Sequence, residues 1–158
     1  MIKVDITQVM RDKADEMSKE MGVLKGSFTG GRGNIYGFLG ELSFLEVLED
    51  AEHTNTYDYD ITLKNGKTLD VKTKKTTVVP LPSYECSVGS YNTKQSCDMY
   101  GFVRVHKDCQ TAWILGVMDK EEFFTEATHY NKGDFDPSNN YTVKSSCYSI
   151  AIEDLNTI

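Results

Sequence analysis

An Asn65-Gly66 dipeptide lies between two runs in which apolar and charged residues alternate, and it constrains this chain more than any other feature. Asn-Gly is a strong hairpin signal that allows two loop lengths. A two-residue loop pairs Lys64 with Lys67 and Ile61 with Asp70, which puts apolar residues of one strand beside charges of the other. A three-residue loop, Lys64-Asn65-Gly66, is a type I turn with a Gly bulge; it pairs Leu63 with Lys67 and Asp60 with Asp70. Ile61 then faces Leu69 and Tyr59 faces Val71, giving one coherent apolar face. A slip of one residue turns every side chain over, so burial selects this second register. The hairpin is expected over Tyr57–Leu63 and from Lys67 to about Val79, where Pro80 and Pro82 end the strand.

The chosen register has a chemical consequence. Asp58, Asp60, Asp70 and Lys72 emerge together on the other face, with Asp60 and Asp70 directly opposed. Opposed β-carbons sit about 5 Å apart, and like charges there are destabilising. Such a pair needs a shared proton or a cation, and a hard divalent ion such as Mg²⁺ suits carboxylate oxygens. Glu41, the one charged side chain between Gly33 and Leu45, is a third oxygen donor. Lys72 follows Asp70 by two residues and so shares its face. An ion held by carboxylates polarises a phosphoryl oxygen and acidifies its bound water, while a lysine offsets charge on the phosphate. Phosphodiester hydrolysis is the reaction class this equipment fits. Lys74 and Lys75 read as a solvated edge within reach of phosphates.

The rest of the chain frames that hairpin. Thr7 caps a first helix to about Met21, with Met10, Ala14 and Met17 at helical spacing. Gly22 to Gly33, with Lys25 and Arg32, is a Gly-rich segment that fits no phosphate-binding loop; it reads as a connector or as a segment touching substrate. Asn34 is expected to cap a second, mostly buried helix from Ile35 to about Asp50. In that helix Gly37 and Gly40 suggest close approach of another backbone. A polar connector (Ala51 to Thr56) leads to the hairpin. A short strand is expected near Tyr84–Val88, a turn or short helix over Tyr91–Cys97, and strands over Tyr100–His106 and Thr111–Val117. Asp119 and Glu122 form a capping-box pattern opening a helix to about His129, and a polar loop then precedes a last strand over Tyr141–Ile152. This order predicts one mixed α/β (α+β) domain spanning residues 1–158.

Seventeen Lys and Arg against 24 Asp and Glu leave a net charge of −7, the wrong sign for nonspecific coating of nucleic acid. The distribution is uneven. Ile61 to Val79 carries five lysines against Asp70 alone, or +4, whereas Asp119 to Ile158 carries eight acids against three lysines, or −5. The four cysteines form no CxxC pair and read as reduced thiols, because the gaps among Cys86, Cys97, His106 and Cys109 match no common zinc ribbon or finger. With no apolar run of roughly 18 residues and no signal-like start, the expectation is a cytoplasmic chain without a membrane partner.

Glu41, then Asp60, then Asp70-Val71-Lys72 resembles the PD-(D/E)xK nuclease superfamily, whose pattern is a helix-borne Glu, an Asp on one hairpin strand and Asp/Glu-x-Lys on the next. The resemblance covers about Asn34 to Lys75 and extends to the order of flanking elements. Tyr59 replaces the namesake proline, and Asp58 is an alternative first acid. The resemblance implies a restriction-endonuclease-like central mixed sheet flanked by helices. It also implies a Mg²⁺-dependent DNA endonuclease of restriction, resolvase or homing type, with Mn²⁺ as a substitute ion. Glu41, Asp60, Asp70 and the Val71 carbonyl would hold metal, and Lys72 would be the catalytic lysine. Arg32, Lys74, Lys75, Lys94 and Gln95 are the candidate nucleic-acid contacts, and a homodimer or higher oligomer would cut both strands. The alternative is a nucleic-acid-binding or assembly protein that keeps the fold without the chemistry.

Overall fold

The structure, a computed structural model, describes residues 1–21, 32–137 and 140–158. The Gly-rich segment before Arg32, and the Arg32 side chain itself, lie outside the described residues. In chain order come β1 (Ile2–Asp5), α1 (Gln8–Met21), α2 (Arg32–Val47), β2 (Glu52–His53), β3 (Ile61–Thr62) and β4 (Thr68–Thr76). Then follow β5 (Glu85–Gly89), β6 (Met99–His106), β7 (Thr111–Asp119), α3 (Lys120–Glu126) and β8 (Thr128–Tyr130). The chain closes with β9 (Phe135–Asp136), β10 (Tyr141–Thr142) and β11 (Cys147–Ala151). The fold is mixed α/β. Its six-stranded sheet runs β1-β7-β6-β4-β3-β2, and β4 and β6 are parallel within otherwise antiparallel pairings.

Alternation along the central strands divides the interior into two apolar layers. Leu69 and Val71 of β4, with Val103 and Val105 of β6, pack under α1 and α2 against Phe38, Leu39, Leu42 and Phe44. Tyr100 and Phe102 point the other way, toward β5, β11 and α3, where Val88, Phe123 and Ile150 cover them. Asp70, Lys72 and Lys74 alternate with Leu69, Val71 and Thr73, so they share the face of Tyr100 and Phe102.

The hairpin adopts the bulged register. Ile61 pairs with Leu69 and Thr62 with Thr68. The ladder ends there, and the Asp60 N–H donates to the Leu69 carbonyl at 3.0 Å, so the expected direct Asp60–Asp70 pairing does not form, although Asp60 still lies within the electrostatic reach of Asp70. The Leu63 amide donates to the Lys67 carbonyl at 2.8 Å, and Gly66 takes φ +82, the left-handed conformation the turn needs. Thr7 caps α1 as expected, with its hydroxyl accepting the Met10 N–H at 3.2 Å.

Several boundaries differ from expectation. The first hairpin strand is ordered as a ladder only over Ile61–Thr62, because Thr54, Asn55 and Thr56 bond back to the Asp60 and Tyr59 carbonyls and hold that stretch as a loop. The expected connector contains β2, which pairs with β3 and closes the sheet edge. Helix α2 opens at Arg32, so Asn34 lies within it, and it ends at Val47, before Asp50 turns to φ +54. No capping box forms at α3: the Asp119 carboxylate meets Lys67 Nζ at 3.0 Å, and Glu122 accepts from Asn156 at 3.0 Å. The expected last strand divides into β10 and β11, and His129 falls in β8. β1, too short to show periodicity, pairs with β7.

The two helix glycines have different reasons to be there. A Cβ on Gly40 would collide with Thr73 and come within 2.7 Å of Val103 Cγ1, both stiff side chains on central strands. A Cβ on Gly37 would meet nothing within 4 Å. Gly40 lets α2 lie close on the sheet, whereas Gly37 only lowers helix propensity. Chemical denaturation should show Gly37→Ala more stable by about 1 kcal/mol and Gly40→Ala less stable by about 1–3 kcal/mol. Equal effects from the two substitutions would refute this distinction.

Candidate functional site

Three carboxylates and a lysine converge where β3 gives way to the loop before it. Asp70 is 4% exposed and Glu41 is 8% exposed, which is rare for acids without partners. Each has one. The Glu41 carboxylate contacts His53 Nε2 at 2.8 Å, linking α2 to β2. The Asp70 carboxylate meets Lys72 Nζ at 2.6 Å as an ion pair, although Oδ2 has no aligned hydrogen bond. Lys72 is steered further by Gln95, whose side-chain oxygen accepts from Nζ at 3.1 Å, and its amine lies 5.8 Å from the Tyr100 ring centroid.

Asp60 is the unbalanced member. Its carboxylate accepts the Val71 N–H at 2.7 Å, and among the described residues no cation is within ion-pair distance of it. Burial first, then the Glu41 charge and more weakly that of Asp70, push its pKa up to about 8, against the lowering effect of the Val71 amide and Lys72. Asp60 therefore keeps its proton near neutrality in the folded protein. The same crowding reaches nearby groups. Burial and then the Asp70 charge push the Cys97 thiol up to about 11, and burial, Cys97 and Asp70 raise the fully buried Tyr100, whose hydroxyl has no hydrogen-bond partner.

The loop that delivers Asp60 is held by its own polar groups. The Thr56 hydroxyl accepts the Tyr59 N–H at 3.1 Å and donates to the Tyr59 carbonyl at 2.8 Å. Asp58, the alternative first acid, is engaged elsewhere: its Oδ1 accepts the Ser96 N–H at 3.0 Å. Gln95 donates from Nε2 to the Tyr57 carbonyl at 2.8 Å, and its own carbonyl accepts from Lys120. Gln95 thus ties the Asp60 loop, Lys72 and the start of α3 together.

Among the other sequence candidates, Lys74 projects on the Lys72 face, whereas Lys75 lies on the helix face, 5.5 Å from the Tyr36 ring centroid. Lys94 is exposed on the 3-10 turn Ser90–Lys94. The residue the sequence did not single out is His53. An isolated histidine in a polar stretch carries no periodic signal, and only the β2–β3 pairing places it beside Glu41.

Oxygen donors of this kind suit a hard divalent cation, and Asp60, raised by burial and the Glu41 charge, is the group whose environment a cation would relieve. Among the described residues, however, no three His, Cys, Asp or Glu side chains are already closed around a common point for an ion. Glu41 and Asp70 would have to exchange His53 and Lys72 for it. The four cysteines form no disulfide, and burial pushes the Cys86 thiol up to about 12. Among the described residues no helix is long and apolar enough to cross a membrane. A scan against protein-family models finds no match, and no curated protein matches the chain.

The raised Asp60 makes a pH prediction. Between the unfolded carboxyl value near 4 and the folded value of about 8, the native state binds one more proton than the unfolded state. Stability is then fully present below pH 4 and falls as pH rises toward 8. Urea titrations in metal-free buffer should show that decline in wild type and a flatter profile in Asp60→Asn. Parallel profiles would show that Asp60 ionises normally.

Proposed function

We propose that the chain is a divalent-metal-dependent DNA endonuclease with a restriction-endonuclease-like arrangement of its central sheet. One observation carries this reading: the hairpin gathers the buried Asp60 carboxyl within the fields of Glu41 and Asp70, beside the Asp70–Lys72 ion pair. Glu41, Asp60, Asp70 and the Val71 carbonyl would hold Mg²⁺, with Mn²⁺ as a substitute. When bound, the ion supplies Lewis-acid polarisation of a phosphoryl oxygen and a water of lowered pKa.

The protein's own groups would do the rest. Lys72, released from Asp70, offsets negative charge gathering on the phosphate and orients the attacking water. Gln95 limits where that amine can go, and His53 sets the position of the Glu41 carboxylate. Asp60, with its pKa raised to about 8, would have to be deprotonated to serve as one of the ligands. Lys74 lies further along the same face to receive the nucleic-acid backbone, and a homodimer would present two such sites to the two strands.

A second reading, a nucleic-acid-binding or assembly protein of this fold without chemistry, is favoured by the partners Glu41 and Asp70 already have. Ion binding separates the two. Saturating Mg²⁺ or Mn²⁺ should raise the melting temperature of wild type, by about 2.7 kcal/mol of stabilisation at a hundredfold excess over Kd, and should do little for Asp70→Asn. In a plasmid-nicking assay, wild type should cut with Mg²⁺ and not with chelator, and Lys72→Ala should be slower by about 100-fold or more. If wild type leaves single-stranded, duplex and branched DNA intact under both metals, the endonuclease reading is wrong.

A further inference from the structure

Beyond the carboxylates, the Lys72 face continues into a cleft whose far end, past Lys72, takes no part in the endonuclease chemistry. It encloses about 270 Å³ between β4, β5 and β6, with Lys72, Lys74, Arg104 and Glu85 as its charged lining. That is room for several waters or one phosphate group. Lys74 and Arg104 sit side by side in the parallel β4–β6 register, so two cations are adjacent. Arg104 is 8% exposed, yet its guanidinium is only partly used. Nη2 donates to the Glu85 carbonyl at 2.9 Å and the group stacks 5.3 Å from the Tyr84 ring centroid, while Nε is buried with no hydrogen-bond partner. A buried charged donor left unpaired costs free energy, and an acceptor in the cleft would remove that cost.

The charge balance identifies the acceptor. Lys72 is matched by Asp70, and the Glu85 carboxylate, itself hydrogen-bonded by Ser149, offsets one of the remaining two cations. One positive charge is left, which is the complement of one phosphodiester. Among the described residues Lys74 makes no ion pair within 4 Å, and partial desolvation of its amine followed by the Arg104 charge lowers its pKa against a smaller opposing pull from Glu85. Lys74 lies two residues beyond Lys72, about 7 Å along the strand, a step comparable to that between successive phosphates of one nucleic-acid strand.

We infer that the Lys74–Arg104 cleft binds the phosphodiester adjoining the one at the carboxylates, so that the nucleic-acid strand runs along β4 from Asp70 toward Thr76. This rests on the endonuclease reading and adds a subsite and a direction to it. The contact is electrostatic and positional, and it carries no base recognition.

The test measures binding of a short duplex by fluorescence anisotropy in chelator across a salt series, alongside cleavage of the same duplex in Mg²⁺. Loss of one phosphate contact lowers the slope of log K against log salt by about 1. Lys74→Gln, an exposed substitution, should show that loss with a several-fold weaker Kd. Arg104→Gln should do the same provided its circular dichroism and melting match wild type, and Lys74→Gln keeps the test independent of that proviso. Replacing the adjoining phosphate by a methylphosphonate should weaken wild-type binding several-fold and add nothing to Lys74→Gln. If wild type cuts DNA but Lys74→Gln keeps its affinity and slope, or the two losses simply add, the cleft is not the subsite while the endonuclease reading stands. If wild type neither binds nor cuts DNA, both fall together.

Discussion

The pairing of Ile61 with Leu69 is the constraint from which the site follows. Both side chains are essentially fully buried, 0% and 1% exposed, in the layer under α1 and α2. Burying an aliphatic side chain contributes about 1.5–3 kcal/mol, whereas a like-charge cross-strand pair on an open sheet costs well under about 1 kcal/mol. The apolar term wins, and the register that satisfies it ends at Ile61, where the Asp60 N–H donates to the Leu69 carbonyl and leaves the Asp60 carboxyl within reach of Asp70. Burial itself, and then the Glu41 charge, push the pKa of the Asp60 carboxyl up to about 8, with Asp70 adding a smaller share. The hydrophobic face sets the geometry, and the polar face must find a way to tolerate it.

That tolerance is unequal among the three acids, and the inequality carries chemical information. Glu41 is answered by an imidazole and Asp70 by an ammonium, each through one short contact. Asp60 receives only a backbone amide. A site whose acids were all paired would have no electrostatic reason to take up a cation, and one whose acids were all unpaired would be costly to fold. Here a single buried carboxyl has its pKa raised to about 8, and positive charge beside it would lower that value. Lys72 also has a second partner, because its amine reaches the Gln95 side-chain oxygen.

Much of this was legible in the sequence because it rested on period-2 alternation and one turn signal, which are local. The hairpin register, the capped first helix, the buried second helix and the strands around Phe102 and Trp113 are of that kind. What was not legible depends on pairing between distant segments. β1 and β2 are too short to show a pattern and exist because β7 and β3 offer them an edge. Asp119 and Glu122 satisfy a local capping pattern, yet Lys67 and Asn156 compete for their carboxylates from far away in sequence. His53, Gln95 and Arg104 take their roles from long-range contacts, so residue type and spacing alone left them unassigned or loosely placed.

The position of Glu41 also depends on packing one residue away. Gly40 lies against Thr73 and Val103, and Gly101 of β6 admits the Phe44 ring, where an added Cβ would stand 2.7 Å from Cζ. These two vacancies, one on the helix and one on the sheet, set how closely α2 rests on β4 and β6. Glu41 follows Gly40 directly, so the depth of that seat decides whether its carboxylate is within the field of Asp60. Were α2 to ride higher by the thickness of a methyl group, His53 could still follow on its short edge strand, but the Asp60 loop, fixed by Thr56 and Gln95, could not. The apolar packing beneath the sheet and the carboxylate cluster at its margin are therefore one structural problem, and the glycines that lower helix and strand propensity are the residues that solve it.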